Sequence, residues 1–133
     1  MDFAASVRRN INKSLQKVDV KATNITKQLF LKVVSLTPSP SNGAPYAKGY
    51  LANQWYVDYN DFSEELGPNK SNNGSDSITR INSIKYNMFI NNRSITLTNN
   101  VSYAHQAEVL GWVKTGPYRM VMRAIQYTKS KYG

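Results

Sequence analysis

Residues 94–112 read SITLTNNVSYAHQAEVLGW, and residues 116–125 continue as GPYRMVMRAI. Positions 94–98 alternate strictly, with Ile95 and Leu97 on one side and Ser94, Thr96 and Thr98 on the other, the period of a half-buried strand. Asn99-Asn100 interrupts the alternation, and asparagine tolerates the left-handed conformation that a sharp turn uses. From Val101 to Leu110 the period becomes helical, with Tyr103, Ala107 and Leu110 on one side, and Gly111 supplies a stop. Gly116-Pro117 predicts the start of another helix, because proline fits the first helical position. A strand, a turn and two short helices thus fill about thirty residues without a catalytic constellation. The stretch reads as a joint.

Upstream, Phe3, Val7, Ile11, Leu15, Val18, Ala22, Ile25, Leu29, Val33 and Leu36 recur every three or four residues. That spacing predicts one long amphipathic helix, with a kink allowed at Ala22-Thr23-Asn24, where two weak helix formers sit together. Arg9, Lys13, Lys17 and Lys21 make a basic run at spacing four on it. Such a run is a solvated face or a stripe facing acidic neighbours or phosphates. Thr37-Pro38 cannot prolong the helix, so residues 38–49, with Pro38, Pro40, Pro45 and Tyr46, form an arm. Residues 51–59 (LANQWYVDY) predict a strand with Trp55, Val57 and Tyr59 on one face and Tyr56 and Asp58 on the other. Residues 60–76 are a polar, turn-rich excursion. Ser75-Asp76-Ser77 offers helix caps ahead of Ile78, Ile81, Ile84 and Met88, whose spacing is helical. The last helix, from Pro117 to about Lys129, places Tyr118, Val121, Met122 and Ile125 on one face and Arg119 and Arg123 on another. The expected architecture is a single α+β domain over residues 1–133. In it a long N-terminal helix and shorter helices pack on a small, mainly antiparallel sheet.

The chain has 133 residues, no cysteine and a formal net charge of +9. Disulfides, thiolate metal sites and cysteine nucleophiles are therefore excluded. The opening MDFAASVRRNINKSL lacks the apolar core of a signal peptide, and no run approaches a membrane span. The five N-x-S/T triplets, at Asn12, Asn24, Asn73, Asn92 and Asn100, reflect an Asn- and Ser-rich composition. The expected location is the cytoplasm of a cell or a particle assembled there. Charge is distributed in blocks: seven Lys/Arg against Asp2 and Asp19 in residues 1–37, two against five acids in 38–76, and eight against Glu108 alone in 77–133. A basic–acidic–basic pattern steers a chain towards nucleic acid or lets copies meet head to flank.

Enzymatic chemistry finds little to work with. His105 is the single histidine, and no carboxylate stands at a spacing that repeats a known motif. Asp58, Asn60, Asp61, Glu64 and Glu65 offer oxygen ligands, but not in the order of a calcium-binding loop. Neither glycine-rich phosphate-binding signature is present. The expectation is a non-enzyme with no cofactor and no metal. Trp55 and Trp112 read as core or interface anchors, and Glu108 as a local ion pair or an intersubunit one. A small basic DNA-binding module is the competing reading, on charge alone, since no helix-turn-helix, zinc ligands or ribonucleoprotein motif accompanies it.

The order of these features resembles the neck proteins of tailed bacteriophages, the head–tail joining or tail-completion family. The family has an N-terminal helix ending at Thr-Pro, matched by Thr37-Pro38, and a Gly-x-Leu-x-x-polar-Trp run, matched by residues 49–55. Thr98-Asn99-Asn100, Tyr103-Ala104, Glu108, Gly111, and Pro117 with Met120-Val121 match its later part, so the resemblance covers about residues 25–127. The chain departs from the pattern in its longer Pro/Ser arm, in Gln54 where a serine is common, and in the two residues between Glu108 and Gly111. The resemblance implies a structural virion protein. It would form a ring, of six copies or alternatively twelve, between the portal-side connector or stopper and the tail, and be made in the host cytoplasm without a membrane. A closed ring needs a heterologous contact. The candidate subunit-interface residues are then Pro38, Pro40, Pro45, Tyr46, Trp55, Tyr103, Glu108 and Trp112. Arg9, Lys13, Lys17, Lys21, Arg119 and Arg123 are candidates for the DNA channel or an acidic partner.

Overall fold

A helix of 34 residues, α1 (Phe3–Leu36), opens the chain. It is unbroken at Ala22–Asn24 and about 51 Å long at 1.5 Å per residue. No glycine or proline falls inside it. Thr26 turns its hydroxyl back onto the carbonyl of Ala22 (2.9 Å), an i−4 bond made within the helix. The computed structural model describes residues 3–38, 49–67, 74–85, 94–111 and 116–133, with the side chains of α1 described at Ser6 and from Lys17 onward. Pro40, Pro45, Tyr46, Met88 and Trp112, and the side chains of Arg9 and Lys13, lie outside the described residues.

Beyond α1 come a single 3-10 turn (Ala52–Gln54), strand β1 (Trp55–Tyr59), helix α2 (Ser75–Asn82) and strand β2 (Ile95–Asn99). A π turn (Gln106–Leu110) and helix α3 (Met120–Tyr132) complete the order. The strands pair antiparallel, with Trp55 opposite Asn99, Val57 opposite Leu97 and Tyr59 opposite Ile95. Opposed residues share a face, so Val57, Ile95 and Leu97 pack on the core as the alternation predicts. α1 packs on α3 and α2, and α2 covers β1 and the 3-10 turn. The core gathers Phe30, Val33 and Val34 of α1 with Leu51, Trp55, Ile81, Ile84, Val101, Ala107, Met120 and Ala124. The α+β architecture with a long N-terminal helix is the one the sequence predicts.

Several local readings are corrected. β1 begins at Trp55, because residues 51–54 coil into a turn (Asn53 N–H to Gly49 O, 3.0 Å). Tyr56 is buried beside Trp55, so both faces of the first β1 residues are covered. α2 stops at Asn82, with Ile84 buried beyond its end. Its N-cap is Gly74, at φ 77°, and none of the serines caps it. A Cβ on Gly74 would lie 2.9 Å from Val34 Cγ1 and 3.2 Å from Ala52 Cβ, so only glycine fits between α1 and the turn. Asn99 and Asn100 are not left-handed; among the described non-glycine residues only Asn60 and Arg119 have positive φ. Residues 106–110 form a π turn, closed by Gly111 N–H to Gln106 O (2.6 Å); Ala107 is buried in it, and Tyr103 before it and Leu110 at its end are exposed. α3 starts at Met120, because Arg119 before it is left-handed (φ 47°, ψ 47°); the backbone N–H groups of Tyr118 and Arg119 donate to the carbonyls of Ala107 (2.8 Å) and Glu108 (3.2 Å). Its inward face is Met120, Ala124 and Thr128, and Met122 and Ile125 are exposed.

Ser77 is the bond between helix and strand. Its hydroxyl accepts the Trp55 backbone N–H (3.1 Å) and donates to Ala52 O (2.6 Å), fully buried. Ser77→Ala leaves a donor and an acceptor unpaired in the core and is expected to lower unfolding stability by about 2–4 kcal/mol. Urea titration followed by tryptophan fluorescence measures this, and an unchanged midpoint would contradict the assignment.

Candidate interaction surfaces

The candidate residues divide into those that build the joint and those that face outward. Trp55 belongs to the first group. Only 5% of it is exposed, and its indole N–H donates to the Thr37 hydroxyl (3.0 Å), which itself donates to Val33 O (2.7 Å) at the end of α1. The expected interface anchor is thus a core residue with almost no surface to offer a neighbour. Pro38, next to Thr37, is buried as well. Glu108 is likewise turned inward: its carboxylate accepts the backbone N–H of Val121 (2.8 Å) and Met122 (3.3 Å). It caps the first turn of α3 from thirteen residues away, where the helix dipole favours a negative charge.

Tyr103 remains at the surface, 37% exposed. Partial burial, and then the neighbouring Tyr50 phenol, push its proton affinity up. Burial does the same to Tyr59. Lys17, Lys21, Arg119 and Arg123 are all exposed. The structure does not gather them into one site: Lys17 and Lys21 lie in the first two-thirds of α1, whereas Arg119 and Arg123 flank the start of α3. Arg119 sits in the left-handed region (φ 47°, ψ 47°) as the residue that turns the chain into α3.

Four polar residues carry much of the geometry: Gln54, Asn99 and Asn100, which the sequence marks for other reasons, and Arg80, which it does not mark. Gln54 is fully buried and clasps Gly67 with both ends of its amide, Nε2 to the carbonyl (2.8 Å) and Oε1 from the N–H (2.9 Å). Arg80 reaches from α2 to donate to Asn53 O (2.7 Å) and Trp55 O (3.0 Å), with its guanidinium 3.8 Å from the Tyr56 ring centre. Asn99 donates to Leu51 O (2.9 Å), and Asn100 to Ser63 O (2.8 Å) and Glu65 O (3.1 Å). The residues that anchor the 60–67 loop are therefore side-chain amides acting as spare backbone.

His105 is exposed, and among the described residues no group of three or more His, Asp or Glu is placed to hold a metal ion. Among them, too, no helix is long and apolar enough to cross a membrane. No family model matches the chain, nor does any curated protein or solved structure.

Glu108→Ala is expected to cost about 1–2 kcal/mol as a lost helix cap, and Glu108→Gln less, since its carbonyl still accepts one N–H. Chemical denaturation of the two variants distinguishes this cap from an outward-facing charge, whose removal would leave stability within about 0.5 kcal/mol. Raised phenol values for Tyr59 and Tyr103 have a definite sign. Their contribution is fully present below the ordinary tyrosine value near 10. It is lost as pH rises through the higher folded values. Melting temperature should therefore fall more steeply above about pH 10 in the parent than in a Tyr59→Phe/Tyr103→Phe double variant.

Proposed function

We propose that the chain is a structural protein of a tailed-phage particle, a ring-forming neck or tail-completion component that acts by self-association and makes or breaks no bond. The observation that carries this reading is where the resembling residues sit. Thr37 ends α1 and takes the Trp55 indole, Asn99 ties β2 to Leu51, and Glu108 caps α3. Gly111, at φ 68°, has its Cα so close to Gly116 and Pro117 that any side chain would collide with their backbone. These shared features are joints of the scaffold, while the shared Tyr103 stays at the surface. A family defined by such positions is one in which shape is the function. Neighbours would be further copies, in a ring of six or else twelve, with connector or stopper proteins on one side and tail proteins on the other.

A basic DNA-binding role is the second reading, favoured by the exposure of Lys17, Lys21, Arg119 and Arg123. Salt dependence discriminates: each phosphate contact should add about 0.9 to the slope of log affinity against log salt. Four such contacts would appear as a slope near −4 that Arg119→Glu/Arg123→Glu roughly halves.

Immunogold labelling of purified particles tests the first reading, with label at the head–tail junction expected and its absence there decisive against it. Removing residues 39–48 should leave circular dichroism unchanged and block head–tail joining. Infectious particles of normal titre from that deletion would remove the arm from the contact.

A further inference from the structure

The buried residues described on α1 are Asp19, Thr23, Phe30, Val33 and Val34, with Thr37 buried just past its end. The apolar line of the sequence runs one residue behind: Val33 on it is buried, but Val18 is 66% exposed and Ala22, Ile25, Leu29 and Leu36 are only partly buried. On α3 the offset has the opposite sense, with Met120 and Ala124 buried and Ile125 39% exposed, and Tyr132 is 37% exposed at the helix end. The two half-covered lines meet in an open groove of about 310 Å³ lined by Ile25, Leu29, Ile125, Thr128, Lys129 and Tyr132. Its rim is basic. Lys129 lines it, exposed Lys21 stands one turn before Ile25, and exposed Lys131 precedes Tyr132.

The opposite chemistry occurs on the loop after β1. Phe62 is 70% and Leu66 53% exposed, between the exposed acids Asp61, Glu64 and Glu65. The backbone beneath them is pinned: Thr96 donates to Asp61 O (2.6 Å), Asn100 donates to Ser63 O and Glu65 O, and Gln54 clasps Gly67. Two large apolar side chains are thus held outward on a loop whose anchors are all polar, so little ordering remains to be done on docking. An apolar knob with an acidic rim and an apolar groove with a basic rim stand on one chain, carried by different elements.

We propose that the Phe62–Leu66 knob of one copy docks in the α1–α3 groove of a second copy. Phe62 and Leu66 cover Ile25, Leu29, Ile125 and Tyr132, while Asp61, Glu64 and Glu65 face Lys21, Lys129 and Lys131. The contact joins two different surfaces, the kind from which rings or open chains are built. It rests on the self-association part of the function proposed above and is independent of where the assembly resides.

The chain contains no cysteine, so introduced thiols report on this contact alone. Glu64→Cys and Ser130→Cys chains, at exposed positions beside knob and groove, are mixed and treated with a short bis-maleimide. A mixed covalent dimer is expected. Its yield should fall at least tenfold when Phe62→Ser is added to the first chain or Lys129→Glu/Lys131→Glu to the second. Asp61→Lys/Glu65→Lys in the first chain should restore it against the charge-reversed second. All these positions are exposed, and circular dichroism of each variant confirms folding. No mixed product, or a yield indifferent to Phe62→Ser, overturns the proposal. Chains found at the head–tail junction without the mixed product would overturn this contact and leave the virion reading standing. The mixed product with no chain in particles would do the reverse.

Discussion

Trp55 is the residue through which the parts of this fold hold one another. Its backbone N–H is bound by Ser77 of α2, its carbonyl by Arg80 of the same helix, and its indole N–H by Thr37 at the end of α1. Its ring sits in the common core with Val33, Val34 and Ile81. In a domain whose described sheet has two five-residue strands, the hairpin has too little surface to stand alone. What fixes it is the set of buried hydrogen bonds to two helices. Buried polar groups of this kind are stabilising only when all their partners are present. That is why the serine and threonine here are fully enclosed.

The same device recurs at a second level. Gln54, Asn99 and Asn100 use side-chain amides where a larger sheet would use further strands. Glu108 does so with a carboxylate, replacing a local cap on α3 by one brought from the preceding turn. The cost is that few of these residues can be exchanged. The gain is that the loop at 60–67 and the approach to α3 take one conformation each. The protein spends its polar residues on geometry, which suits a part that must present fixed surfaces.

How much of this was legible in the sequence depended on periodicity. α1, both strand cores, and the inward set Val57, Ile95 and Leu97 follow from period 3.6 and period 2 alone. What stayed hidden was anything set by long-range polar pairing. Trp55 read as a core or interface anchor because an indole is amphipathic, and nothing local announces that Thr37, eighteen residues earlier, will satisfy its N–H. Glu108 read as a charge for a cation, although its partners are two backbone N–H groups. The π turn was invisible because apolar spacing of three and four cannot distinguish it from one more turn of α-helix, and Leu110, at its end, is exposed where the helical period places it with Ala107.

The offset between the apolar line of α1 and its buried line is the part of the pattern that a single chain does not explain. One residue on a helix is about 100° of rotation. If the helix had simply been placed to hide its most apolar stripe from water, Ala22 and Leu29 would lie where Thr23 and Phe30 now lie, and Val18 would not stand 66% exposed. The helix is instead rotated so that Thr37, Val33 and Val34 meet Trp55 and its neighbours at the C-terminal end. The remainder of the stripe follows rigidly, since an unbroken helix cannot be turned at one end alone. The joint at Trp55 therefore dictates which apolar residues of α1 stay uncovered some twenty residues away. The exposed face is a consequence of the core rather than an independent feature of the surface.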